Sequence, residues 1–425
     1  MLHPAEAAPA RLRAGATHTE IRLFRIAMAV VAIAVVDDAF VHREPGTSAG
    51  DHLLGAAVPV AVALGLVLAY PHLRAGLRGF AALTSGALAV TAGVADGVAH
   101  VVVDGVAGDD VTSVLAAAAG VALLALGART LWRSRRLDEA LPRRYARRLL
   151  VGAAAVVAGW LVALPVALAI VITHTPRAPV ERADLGRPYE RVGFETADGL
   201  RLAGWYVRSR NGAAVIAFPG RSSPVRHARM LARHGYGVLL LDRRGEGESE
   251  GDFNGLGWNG EKDLAAALAF LRRRLDVERG RIGGLGLSVG GELLLQTAAR
   301  HRALAAVVSE GAGIRSLREQ MHTPGRARWL SPWLVTTAAT AVLSGDSPPP
   351  DLAGLVPRIA PHPVFLIYAA HGQGGEELNP TYYAAARPPK ALWKVPDGGH
   401  TGGLVAHPRE YERRVIGFFD RALLR

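Results

Sequence analysis

Five long apolar runs occupy the first part of this chain, near Ile21–Phe40, Leu53–Tyr70, Phe80–Val103, Val111–Leu131 and Leu149–Thr173. Each can cross a bilayer as a helix of roughly 20 residues. No other feature limits the fold as much, because a chain in hydrocarbon must satisfy its own backbone hydrogen bonds. The first run follows Arg11, Arg13, Arg22 and Arg25, as a signal peptide would, but it is long, lacks a small-residue cleavage site and precedes four more runs. It reads as a retained helix in a transmembrane bundle of about five.

Charge sets the orientation, since Lys and Arg accumulate on the cytoplasmic side. Arg74 and Arg78 lie between runs two and three, and Arg129, Arg133, Arg135, Arg136, Arg143, Arg144, Arg147 and Arg148 lie between runs four and five. The other two links are acidic on balance, with Asp37, Asp38, Arg43, Glu44 and Asp51 in one and Asp104, Asp109 and Asp110 in the other. Alternation then places the N-terminus in the cytoplasm and everything after Thr173 outside, in a multi-pass protein of the plasma membrane. Failure of the glycine-rich third run to span would invert the soluble part. The net charge of +12 is accounted for largely by these short links rather than by a patch. The lipid bilayer is the expected partner, and no nucleic acid is.

Asp38 and His42 lie four apart on the first helix, and Asp96 and His100 four apart on the third, so each pair shares a face. Such groups at membrane depth could hold a divalent metal; interfacial residues in water are the plainer reading, and no metal or cofactor is assigned. The chain has no cysteine, which excludes disulfides, thiolate metal sites and a cysteine nucleophile.

Two prolines, Pro176 and Pro179, break the fifth helix, and the polar stretch to Pro188 follows. Residues 176–190 therefore read as a short linker between a helical domain (1–175) and a soluble one (191–425). In the soluble domain, Val192–Thr196 and Leu202–Val207 flank an Asp198-Gly199 turn and read as a hairpin. Apolar strands over Ala213–Phe218, Val238–Leu241, the residues before Ser288, Leu304–Ser309, Val364–Ala369 and Leu392–Val395 then alternate with helices. The helices run to about His234, over Glu261–Arg274 and Glu292–Arg300, from about Pro380 to Ala386, and over Pro408–Leu424. The alternation predicts a mostly parallel sheet covered on both faces, with a site at the carboxyl ends of its strands. Residues 311–361 interrupt it; with Trp329, Leu330, Trp333 and Leu334 and then Ser347–Pro350, they read as a small lid or as helices on the domain edge.

The chemistry gathers at Gly286-Leu287-Ser288-Val289-Gly290. A G-x-S-x-G string is common by chance among 49 glycines; here an apolar run enters it and helix formers leave it. The serine thus falls on a strained strand-to-helix turn that needs small residues two places either side. A serine hydroxyl also needs an imidazole to take its proton. Of 15 histidines, only His400 stands in a glycine-rich loop after a terminal strand, while His227, His234 and His301 sit on or beside helices and read as solvated.

From Tyr189 to Arg425 the chain resembles the alpha/beta-hydrolase superfamily, nearest to its serine-aminopeptidase-like and dienelactone-hydrolase-like branches. The matching residues are the elbow at Gly286–Gly290, the segment Asp242–Ser249 and Gly399-His400. The resemblance implies Ser288 as nucleophile and His400 as general base. It also implies an acid after the next-to-last strand, where this chain has His371–Pro380; Glu376 keeps the family's distance to the proline, with Glu377 second and Glu310 third. Oxyanion donors would be the backbone N–H groups of Val289 and Arg221, the latter in a turn where Phe218-Pro219-Gly220 replaces the family's His-Gly. The implied activity is that of a membrane-anchored serine hydrolase cleaving an ester, thioester or amide, with a small-molecule, lipid or envelope acyl group as substrate. An acyltransferase using the same triad is the alternative. A reading of another class makes the helices a transporter or sensor with a secondary or inactive hydrolase domain.

Overall fold

The computed structural model describes residues 16–95, 110–133, 141–175, 184–220, 222–323 and 330–425. Contacts divide the chain into two compact units, a helical one (Met1–Arg43, Ala49–Pro176 and Ala338–Gly345) and an α/β one (Glu44–Ser48, Arg177–Thr337 and Asp346–Arg425).

The helical unit contains α1 (His18–Phe40), α2 (Leu53–Ala69), α3 (Ala75–Gly93), α4 (Asp110–Arg133), α5 (Leu141–Ala158) and α6 (Leu164–Thr173), the last two joined by a π-helical turn over Gly159–Ala163. Thr17 caps α1, its hydroxyl accepting the Glu20 N–H at 3.1 Å. Among the described residues three helical stretches are long and apolar enough to cross a membrane: Leu53–His72, Val111–Arg133 and Leu141–Thr173. The fifth apolar run starts earlier than its hydrophobicity suggests, because its arginine-rich leading segment is good helix former and continues the same helix.

Helices α3 and α4 meet through glycines. A Cβ on Gly86 would lie 2.7 Å from the Gly120 carbonyl oxygen, one on Gly127 2.8 Å from the Gly79 oxygen, and one on Gly93 2.4 Å from the Ser113 oxygen. These residues recur every seven positions, nearly two helical turns, so they form one face on each helix. Only backbone can approach so closely, and small residues are how helices in lipid gain packing contacts.

The α/β unit begins with β1 (Glu190–Glu195) and β2 (Arg201–Val207), an antiparallel hairpin whose Gly199 takes φ 85°. It continues with β3 (Ala214–Phe218), α7 (Val225–Arg233), β4 (Gly237–Leu241), α8 (Gly260–Leu271), β5 (Ile282–Leu287), α9 (Val289–Arg300) and β6 (Ala306–Glu310). Between β6 and β7 come α10 (Leu317–His322), α11 (Leu330–Ser344) and α12 (Leu352–Leu355); the chain then closes with β7 (Val364–Ala369), α13 (Asn379–Ala385), β8 (Lys390–Val395), α14 (Gly403–Ala406) and α15 (Pro408–Leu423). The sheet order is β1-β2-β4-β3-β5-β6-β7-β8, parallel throughout except at β1 and β2. Each central strand feeds two cores. Ile216 and Leu239 face one, with Leu264 and Leu294 of the helices; Val215, Ala217 and Leu240 face the other, with Phe419. That alternation is the two-residue period of a strand buried on both sides.

Candidate active site

β5 ends beside β3 and β6, in a register that opposes Gly286 to Phe218 and Leu287 to Glu310. The chain must turn there from strand into α9, and Ser288 makes the turn at φ 53°, ψ −125°. A residue with a Cβ is strained in that conformation, so its neighbours must leave room. A Cβ at Gly286 would stand 2.4 Å from the Gly290 carbonyl oxygen, and one at Gly290 would stand 2.5 Å from that of Pro219. The small residues flanking the serine are thus fixed by contact with β3 and α9.

The hydroxyl of Ser288 donates to Nε2 of His400 at 2.8 Å. Nδ1 of the same ring bonds Oε1 of Glu376, and Oε2 of Glu376 accepts the Ala369 N–H at 2.8 Å. Glu376 is 1% exposed, and Gly372 packs so closely that a Cβ there would meet its carboxylate at 2.5 Å. A carboxylate only accepts, so Nδ1 carries the proton and Nε2 keeps a lone pair for the serine. Residues from three strand ends, β5, β7 and β8, therefore meet in one hydrogen-bonded line.

Val289 is the first residue of α9, where helix geometry leaves backbone N–H groups without an intrahelical acceptor. The turn after β3 lies against the elbow, since a Cβ on Gly220 would be 2.9 Å from that of Ser288. Arg221 lies outside the described residues.

Two sequence expectations require correction. Glu310, third choice for the acid, does not take that place. Its Oε1 accepts the Gly403 N–H at 2.8 Å and its Oε2 accepts the Tyr411 hydroxyl at 2.7 Å, while its backbone oxygen accepts the Ser288 N–H at 2.7 Å. His227, read as solvated, is 6% exposed, with Nε2 3.6 Å from Glu310 and its ring edge-on to Tyr411. Glu310 thus ties together the elbow, the segment just after His400 and α15, with His227 of α7 packed beside it. Glu377 is exposed and His234 pairs with Glu412 at 2.7 Å.

The Asp242–Ser249 segment works as a clamp. Arg244 reaches Asp263 on α8 at 2.7 Å and Asp198 in the hairpin turn at 2.9 Å. Asp242 accepts the Glu248 N–H at 3.3 Å, yet burial, with Glu246 and Glu248 nearby, pushes its carboxyl up to about 6. Glu292, one turn into α9, accepts the Gly313 N–H at 3.0 Å, and burial raises its carboxyl above the usual range.

In the helical unit Asp38 and His42 do not pair: the His42 ring bonds Asp37 at 2.9 Å, and Asp38 stands 3.9 Å from His174. Asp96 and His100 lie outside the described residues, as does Trp329.

Residues 174–358 match the X-Pro dipeptidyl-peptidase (S15) family, a span that includes Ser288 and ends before Glu376 and His400. The Mycobacterium tuberculosis protein Rv2307c is 31% identical over 236 residues, covering 52% of this chain and 76% of that protein. Escherichia coli YfhR is 26% identical over 253 residues, covering 55% and 81% respectively. The thiohydrolase aneE of Aspergillus aculeatus is 28% identical over 210 residues, covering 47% and 65%. Among solved structures, an esterase of Pyrococcus furiosus aligns over 58% of this chain and 98% of its own, with 23% identity and a TM-score of 0.49.

Proposed function

We propose that this chain, with its mostly parallel sheet and its match to a peptidase family over residues 174–358, is an alpha/beta hydrolase and, from that premise, a membrane-anchored serine hydrolase with its catalytic domain outside the cytoplasm. The observation that carries the reading is the line from Glu376 through His400 to the Ser288 hydroxyl.

His400 Nε2 takes the hydroxyl proton as Ser288 Oγ bonds to the acyl carbon, whose carbonyl electrons move onto oxygen. The backbone N–H of Val289 and one from the Pro219–Arg221 turn hold that oxyanion; a single such donor is worth about 2.7–4 kcal/mol of transition-state stabilisation. As the oxyanion collapses, the bond to the leaving group breaks and His400 gives it the proton. Water then repeats the sequence, and the acid leaves with Ser288 restored. Glu376 keeps the proton on Nδ1 and balances the imidazolium. A buried carboxylate with one oxygen on the ring and the other on a backbone N–H suits that task.

The substrate class is an ester, thioester or amide. Kinship with a thiohydrolase and likeness to a peptidase family keep all three in view. The short linker after the fifth apolar run would hold the domain near the bilayer, which favours lipid or envelope acyl esters. A fluorophosphonate probe should label the wild-type protein and fail to label Ser288→Ala. Folded wild-type protein that resists the probe would reject the enzyme in favour of a transport or sensing role; where the probe labels, a series of acyl esters of increasing chain length grades the substrate.

A further inference from the structure

The helical unit encloses a cavity of about 190 Å³ between α1, α3 and α4, lined by Thr17, Glu20, Arg78, Arg129, Thr130 and Arg133 among others. Its polar floor is built. One oxygen of Glu20 accepts from Arg78 Nε at 2.9 Å, from the Tyr70 hydroxyl at 3.2 Å and from the Thr130 hydroxyl at 3.2 Å. Arg78 also donates to the Leu73 carbonyl at 2.9 Å and is 4% exposed. Its guanidinium is therefore fixed in place, with its charge matched by Glu20.

Arg129 and Arg133 differ. They stand four apart on the last turns of α4, on one face, and both are exposed. Three guanidinium groups line the cavity against one carboxylate, an excess of two positive charges. Leu23, Ala75 and Leu126 give the wall an apolar part, and Thr19 a further hydroxyl. The volume is below the roughly 300–1,000 Å³ of pockets for drug-sized ligands, which suits a compact group, and the excess of positive charge suits an anionic one.

We infer that this cavity binds the phosphate of an anionic glycerophospholipid. Arginine forks match phosphate oxygens in pairs, threonine hydroxyls supply further donors, and the apolar wall receives the glycerol end of the acyl chains. Basic pockets between membrane helices on the cytoplasmic side bind lipid headgroups elsewhere. The cavity opens at the α1 start and the α4 end, the side that the arginine-rich links assign to the cytoplasm. The inference rests on the reading that these helices cross the membrane.

Thermal unfolding of the full chain in a zwitterionic detergent tests it, with added phosphatidylglycerol, phosphatidylcholine or inorganic phosphate. Phosphatidylglycerol should raise the melting temperature by several degrees and phosphatidylcholine should not, and Arg129→Ala/Arg133→Ala should lose the rise while keeping its melting temperature in plain detergent. Equal shifts with the two lipids, or a shift retained in the double variant, would overturn the lipid site. A full shift from inorganic phosphate alone would also overturn it, in favour of a soluble anion. Alkaline carbonate extraction of membranes separates the premise from the inference: protein released to the supernatant removes the membrane reading, whatever the lipids do in detergent.

Discussion

Glu376 and Glu377 are neighbours in sequence with opposite surroundings, one buried against His400 and the other exposed. Glu376→Gln presents an amide to Nδ1 and leaves the ring free to adopt the wrong tautomer; turnover should fall on the order of 10⁴-fold. Glu377→Gln should change it by less than about threefold, and titration of ester hydrolysis by the two variants decides between them. Glu310 belongs to another kind. Glu310→Gln turns one of two acceptors into a donor facing either Gly403 N–H or the Tyr411 hydroxyl, which costs about 1–3 kcal/mol. Its unfolding midpoint in urea should drop more than that of Glu376→Gln, while its turnover drops less. Ser288 and His400 are legible in sequence because a strand-to-helix turn singles out the first and a glycine-rich loop after the terminal strand the second. Glu310 was not, since its partners come from residues 403 and 411 and depend on tertiary closure. His227 left a signal that was missed: Leu231 lies four residues on, so the histidine shares the helix's apolar face.

Helices begin and pack here for reasons that residue preference alone does not supply. Sequence reading starts the helix after the elbow at Glu292; α9 starts at Val289, through two glycines that each cost about 1 kcal/mol in a helix. Tertiary contact overrides that cost, because a Cβ on Gly291 would stand 2.4 Å from Ser309 Oγ. The third apolar run looked marginal for its glycines, and the same glycines are its contact with α4. Gly86→Leu should therefore lower the melting temperature of the full chain in detergent, overpacking costing about 1–3 kcal/mol. Gly76→Leu, with no atom within 4 Å of a new Cβ, should not. The loop after β4 gives a pH signature. Asp242 titrates near 6 in the folded protein and at the ordinary carboxylate value unfolded, so the folded state holds its proton longer. Stability is then unaffected at pH 3, declines as pH rises through the window from about 4 to 6, and stays reduced above it. Asp242→Asn should raise the melting temperature at pH 8, by about 2–4 °C per kcal/mol recovered, and leave it unchanged at pH 3.

For the whole molecule, alternation of charge between apolar runs was readable from sequence because it is a property of composition, and so was the sheet, because its strands recur at regular distance. The segment between β6 and β7 was foreseen as an excursion, but not that residues 338–345 of α11 would group with the helical unit; long-range contacts leave no local pattern. The proposed orientation predicts that a protease added to intact cells degrades the α/β domain, and protection of that domain until the cells are broken would reverse it.

The line from Glu376 to Ser288 is assembled out of sequence order, with the hydroxyl more than a hundred positions ahead of its base. A nascent chain carrying β5 but not yet β8 has an exposed serine of ordinary alcohol reactivity. Whatever acyl groups it meets before then are left intact, so chemical competence arrives only with the final fifty or so residues. Premature truncation anywhere before β7 would yield a product that lacks both Glu376 and His400 and is chemically silent.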